Sequence, residues 1–139
     1  MTQRFVLDAW AILALLQKEE PAASRVRQLL QAAQTGQVSV FISVINLGEV
    51  YYRVGKRRGE GEAQDTIKEI RRLSVVIVPA TDERVLAAAS FKARQAISYA
   101  DAFAAATAAE FGAILLTGDP ELEQLQGAIQ LEKLSRENK

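Results

Sequence analysis

The chain has no cysteine and no histidine. The first absence excludes disulfides, thiolate nucleophiles and zinc–sulfur sites. The second removes the commonest general base and the usual nitrogen ligand of transition metals. Net charge is also missing: 17 basic and 17 acidic residues sum to zero, so no chain-wide positive field gathers nucleic acid. No stretch approaches the roughly 20 apolar residues that span a membrane. The opening Met1-Thr2-Gln3-Arg4 lacks the layout of a signal peptide. A cytoplasmic protein with no membrane partner is the expectation. Any chemistry must rest on carboxylates, hydroxyls, amines and bound metal.

At 139 residues the chain is expected to form one domain, residues 1–139. A chain of this length buries roughly two thirds of its unfolded surface and needs no staple. Arg4 to Leu7 reads as a buried strand, Ala9 to Gln17 as a helix, and Pro21 suits the first turn of a second helix reaching Gln34. Gly36 stops it, and Val38 to Ile42 forms the next strand. Ser43 caps a third helix that ends near Arg58, and Gly59 and Gly61 break the chain there. Glu62 to Leu73 is amphipathic, Val75 to Val78 is a strand, and Thr81 caps a helix from Asp82 to about Gln95. Ser98-Tyr99-Ala100-Asp101 has capping-box spacing at the head of an alanine-rich helix. Ala113 to Leu116 is a strand, Gly118-Asp119-Pro120 a turn before a short helix, and Ala128 to Leu131 a weak strand. Ser135 to Lys139 reads as a frayed tail. Alternating strands and helices imply a mostly parallel sheet covered on both faces. Ligands of such sheets bind beyond the carboxyl ends of the strands, where strand order reverses.

Four carboxylates stand against apolar runs. Asp8 closes Phe5-Val6-Leu7, Glu49 sits in the run from Val44 to Tyr52, Asp101 opens the run from Ala100 to Ala109, and Asp119 follows Ala113 to Gly118. No lysine or arginine lies within three residues of any of them. Each has an ordinary explanation when taken alone: Asp8 and Asp119 as turn or cap residues, Asp101 as a cap, Glu49 in an ion pair with Arg53. Together they say more. Two carboxylates about 4 Å apart repel by roughly 4 kcal/mol at an effective dielectric near 20. A cluster of four raises its own pKa values or captures a cation. Oxygen ligands without nitrogen or sulfur favour Mg²⁺ or Mn²⁺. If the strands ending at Asp8 and Asp119 are neighbours, their carboxylates meet in one crevice.

These segments resemble PIN domains, particularly VapC-type ribonuclease toxins. Phe5-Val6-Leu7-Asp8 is similar to the opening strand and first acid. Ser43 to Val50 is similar to the helix carrying the family's glutamate. Ser98-Tyr99-Ala100-Asp101-Ala102-Phe103 resembles the third-acid segment, and Leu116-Thr117-Gly118-Asp119-Pro120-Glu121 the closing Thr-x-Asp element. The resemblance implies a three-layer α/β/α Rossmann-like fold with a central parallel sheet, a Mg²⁺ or Mn²⁺ site, and hydrolysis of single-stranded RNA. It implies that Asp8, Glu49, Asp101 and Asp119 hold metal, with Thr117 orienting Asp119 or a water. It also suggests a homodimer and a small antitoxin partner. Relatives often carry Ser or Thr two residues after the first acid; this chain carries Trp10. Glu121 is a possible extra acid, although a helix-start glutamate is its simpler reading.

Arg53, Lys56 and Arg57, with Arg58 behind them, form a basic cluster after Glu49, suited to RNA phosphates or to a solvated helix end. Lys92 and Arg94 are weaker candidates for the same role. Trp10 and Tyr52 suit core or interface packing, with base stacking as the second reading. Two other functions stay open: a non-catalytic RNA- or protein-binding module, and a housekeeping RNA-processing nuclease. A dinucleotide site fits poorly, because Gly59-Glu60-Gly61 follows no strand and lacks a third glycine.

Overall fold

The computed structural model describes residues 2–137. Among these residues five parallel strands form one sheet: β1 (Gln3–Leu7), β2 (Val38–Ser43), β3 (Val76–Val78), β4 (Ile114–Thr117) and β5 (Gln130–Lys133), in the order β3-β2-β1-β4-β5. Among the described residues six helices connect them: α1 (Ala9–Leu16), α2 (Ala22–Gln34), α3 (Val44–Arg58), α4 (Glu60–Arg72), α5 (Asp82–Arg94) and α6 (Tyr99–Phe111). A short 3₁₀ helix covers Pro120–Leu125. No helix among the described residues is long and apolar enough to cross a membrane.

Strand alternation divides the core into two layers. Phe5, Leu7, Val40, Ile42 and Leu116 point to one face and pack with Ile12, Val26 and Val50 from the helices before β3. Val6 and Leu115 point to the other face and pack with Ala88, Phe103 and Leu122 from the segments after it. The sheet is therefore covered on both sides, as its short apolar strands require. Full burial of a leucine such as Leu7, Leu115 or Leu116 contributes about 2 kcal/mol. The alanine-rich α6 is buried along Asp101 to Thr107 and at Ala108. Its small side chains let it lie close to the sheet, which assigns this helix to the core.

The chain runs outward from β1 through β2 to β3, then crosses to β4 on the other side of β1. Strand order thus reverses at β1, and Leu7 pairs with Leu116 across the β1–β4 seam. The two segments that leave this seam carry Asp8 and Asp119.

Three local expectations change. Gly61 lies inside α4, so Gly59 alone makes the break, at φ +92°. Ser98 caps α6 by accepting from Asp101 N at 3.1 Å, but its own N–H donates to Glu121 Oε1 at 2.5 Å, so a distant glutamate completes the box. Of the expected frayed tail, residues 138–139 lie outside the described residues. Residues 135–137 are docked: Ala22 N donates to Ser135 O at 3.1 Å, Glu137 N to Glu20 O at 3.0 Å, and Arg136 Nη1 to Glu19 Oε1 at 2.9 Å.

Candidate active site

Asp8 is the last residue before α1 and serves as its N-cap, accepting from Ala11 N at 2.8 Å. Its second oxygen accepts from Thr117 Oγ1, in a hydrogen bond across the β1–β4 seam. Thr117 Oγ1 in turn accepts from Asp119 N at 3.0 Å, and Asp119 Oδ1 accepts from Glu121 N at 2.9 Å. One hydroxyl therefore ties the first acid to the last. Asp101 reaches the same place from the first turn of α6, where the neighbouring carboxyls of Glu121 and Asp119 add to the rise in its pKa. Glu49 arrives from α3 and pairs with Arg53 Nε at 3.1 Å.

Asp8, Glu49, Asp101 and Asp119 all line one crevice of about 790 Å³. Four segments far apart in sequence thus bring their carboxylates to the switch point of the sheet. Among the described residues, however, no three acidic side chains already stand as a ready ligand set. Asp8 and Asp119 are held by hydrogen bonds, and Glu49 by its arginine.

The electrostatics follow from burial. Asp8 is 2% exposed, and loss of water pushes its pKa up to about 7 against the pull of Thr117 and Ala11, with the Asp119 and Glu49 charges adding to the rise. Burial also pushes Asp101 up to about 8, helped by Glu121 and Asp119. Two carboxyls that resist ionisation beside further carboxylates form a place where positive charge is strongly favoured. Oxygen-only donors of this kind suit Mg²⁺ or Mn²⁺.

The basic cluster divides. Arg53, Lys56 and Arg57 line the crevice with the acids. Arg53 Cζ and Lys56 Nζ each lie 5.8 Å from the ring of Tyr52, which is 50% exposed rather than packed. Lys92 and Arg94 point elsewhere: Lys92 Nζ donates to Ile97 O at 2.9 Å, and Arg94 Nε to Ser90 O at 3.2 Å. They take no part in this site.

Two residues at the site, Asn46 and Arg136, were not expected from the sequence. Asn46 is fully buried on α3 and donates to Ala100 O at 3.0 Å, which fixes α3 against the start of α6 beside Asp101. Its Oδ1 has no hydrogen-bond partner among the described residues. A polar residue one turn before Glu49 inside an apolar run was the available signal. Glu121, weighed above as an extra acid, holds the N-terminus of α6 through Ser98 N and helps raise the pKa of Asp101. Arg136 enters the crevice from the docked tail, and nothing in its local sequence marks it.

Trp10 is only partly buried, and it lies against Gly118. A Cβ at Gly118 would fall 2.2, 2.3 and 2.4 Å from three atoms of the indole. Gly118→Ala is therefore expected to cost about 1–3 kcal/mol, because either the ring or the Asp119 loop must move. Thermal melts of Gly118→Ala, Trp10→Ala and the double variant check this. The double variant should recover most of the loss, and strictly additive melts would show that the contact is not the cause.

The chain was compared with known proteins. A family model described as PIN domain matches residues 5–128. No curated protein sequence matches the chain. Among solved structures, VapBC2 from Rickettsia felis bound to a DNA fragment from its promoter is similar over 96% of this chain and 100% of that one, with 16% identity and a TM-score of 0.73. DNA-bound VapBC from Salmonella typhimurium is similar over 96% and 98%, with 19% identity and a TM-score of 0.71. VapC20 from Mycobacterium tuberculosis, a toxin that cleaves the sarcin-ricin loop, is similar over 86% and 93%, with 17% identity and a TM-score of 0.68. At these identities the likeness is one of fold.

Proposed function

This chain belongs to the PIN-domain family, and from that premise we propose that it is a Mg²⁺- or Mn²⁺-dependent endoribonuclease acting on single-stranded RNA. One observation carries the reading: Asp8, Glu49, Asp101 and Asp119 line a single crevice together with Arg53, Lys56 and Arg57. In this reading Asp8, Asp101 and Asp119 hold the metal, directly or through water, and Glu49 either joins them or orients the attacking water. When bound, the ion supplies positive charge that favours ionised water and offsets the charge developing on the phosphodiester. Thr117 keeps Asp8 and Asp119 in register through its two hydrogen bonds. Water attacks phosphorus in line with the leaving oxygen. Arg53, Lys56 and Arg57 hold the flanking phosphates.

The chain acts as one PIN-like domain in the cytoplasm, as the toxin of a toxin–antitoxin pair, with an antitoxin protein and a second copy of itself as partners. The VapBC structures to which its fold is similar support this biological setting. The test is cleavage of labelled single-stranded RNA by purified protein in Mg²⁺ or Mn²⁺, lost in EDTA. Binding without cleavage under either ion would make the chain a non-catalytic module.

The basic residues have a separate signature. Each phosphate contact to a single strand adds about 0.7 to the slope of log affinity against log salt. Replacing both Lys56 and Arg57 by Ala is expected to lower that slope by about 1.4 and to weaken binding evenly across sequences. Fluorescence anisotropy at several salt concentrations measures it. An unchanged slope would return these residues to the role of a solvated helix end.

A further inference from the structure

Trp10 occupies an unusual place. The rest of α1 turns Ala9, Ala11, Ile12 and Ala14 into the core, whereas Trp10 lines the crevice with Leu13 and Leu16. It sits two residues after Asp8 and packs on Gly118, the residue immediately before Asp119. The ring thus touches the loop of the last acid while standing on the helix capped by the first. Gly118 has no side chain where any other residue would strike the indole. Arg136 reaches the ring from the docked tail, its Cζ 5.1 Å from the centroid, and is itself tied to Glu19 at 2.9 Å. Three distant segments hold one large aromatic beside the acids, yet leave part of it open to a cavity lined by cations from α3. The indole packs against the edge of the core, yet it keeps part of its surface open in a charged crevice, which core packing alone explains poorly. It is well suited to a flat apolar group carried on a negative backbone.

We propose that Trp10 is a specificity-determining residue of this crevice, a wall against which the nucleobase next to the scissile phosphate packs. The inference rests on the ribonuclease reading and extends it: the acids act on phosphorus, the α3 cations hold the backbone, and Trp10 sets where the strand lies relative to the acids. Base–aromatic contact tolerates every base, because each has an apolar face. The preference it imposes is therefore for an unpaired, base-bearing strand rather than for one sequence.

Trp10 is the chain's one tryptophan, so intrinsic fluorescence reads this site directly. The experiment mixes wild-type protein in Mn²⁺ with a single-stranded RNA of about a dozen nucleotides by stopped flow, before turnover. A strand of equal length with abasic residues serves as the control, and anisotropy of end-labelled strands reports binding independently. Saturable quenching by the RNA but not by the abasic strand is the expected result. Trp10→Ala is expected to raise KM about tenfold with little change in kcat, and Trp10→Phe to restore most of the loss. RNA that binds and is cleaved without altering the tryptophan emission would overturn the proposal while leaving the nuclease reading intact. Equal quenching by the abasic strand would also overturn it. Absence of any RNA binding or cleavage would remove both. The wild-type fluorescence arm does not depend on how the variants fold.

Discussion

Asp101→Asn is expected to lower RNA cleavage by at least about a hundredfold, with the fold retained. Groups that only support a metal ligand commonly cost ten- to a hundredfold when removed, so a group that holds the ion directly should cost at least the upper end of that range. Loss of the fold is not the expected cause. The carboxyl of Asp101 already favours its protonated form, pushed up to about 8 mainly by burial, so an amide of the same shape removes little that the metal-free protein uses. The Ser98 cap bonds to the backbone N–H of Asp101 and survives the change. Asp8→Asn should behave in the same way, because the amide oxygen can still cap Ala11 N while the amide nitrogen donates to Thr117 Oγ1, reversing that bond. Pure protein, labelled single-stranded RNA and Mn²⁺ suffice for the measurement, with circular dichroism as the check on folding. Wild-type turnover in both single variants would reject the assignment of these acids.

The second large effect is on stability. Asp8 has a folded pKa of about 7 against an ordinary value of 3.8. A raised acid binds its proton more tightly in the folded state than in the unfolded one. The stability linked to Asp8 is therefore complete below about pH 4 and is lost as pH rises toward 7. A shift of about three units corresponds to about 4 kcal/mol at most for this group. Asp101, raised to about 8, extends the loss to higher pH in the same direction. Metal-free protein should accordingly weaken across the range from about pH 4 to pH 8. Asp8→Asn should flatten that decline and be as stable as wild type, or more so, near pH 8. Mn²⁺ should reverse the order, because a cation binds the ionised acids and stabilises the wild type more than the variant. Urea titrations at several pH values, with EDTA or with Mn²⁺, measure all of this. A pH dependence in EDTA identical in wild type and Asp8→Asn would contradict the burial of Asp8, and equal shifts on adding Mn²⁺ would contradict shared coordination.

Much of the frame was legible beforehand. The apolar runs ending at Leu7, Ile42, Val78 and Leu116 are strands, and Ser43, Thr81 and Ser98 cap the helices assigned to them. Short apolar runs alternating with amphipathic stretches leave few arrangements besides a covered parallel sheet. The ordinary and the functional explanations of the acids proved not to exclude each other. Asp8 caps α1 and also lines the crevice; Glu49 pairs with Arg53 and also lines it. A carboxylate has two oxygens and several lone pairs, so a capping bond leaves acceptor capacity for another partner.

What stayed hidden depends on contacts between remote segments. Glu121 reads locally as a helix-start residue or an extra acid, and only the fold brings its carboxylate to the head of α6, where it binds Ser98 N and helps raise Asp101. The tail reads as frayed, yet its backbone bonds to the segment before α2 and delivers Arg136 to Trp10. Gly118 reads as a turn residue, and only the indole lying on it shows why a side chain is excluded.

The sequence by itself determined which segments become strands and helices, which residues cap them, and that four acids stand against or inside apolar runs. Periodicity and capping act over a few residues, and a single chain displays them openly. Only the tertiary structure decided that β1 and β4 lie side by side, that the acids share a crevice with Arg53, Lys56 and Arg57, and that Trp10 lines that crevice while packing against the edge of the core. Those outcomes follow from the packing of two helical layers on one sheet, where each neighbour is chosen by shape and burial across the whole fold and leaves no mark at the positions it brings together.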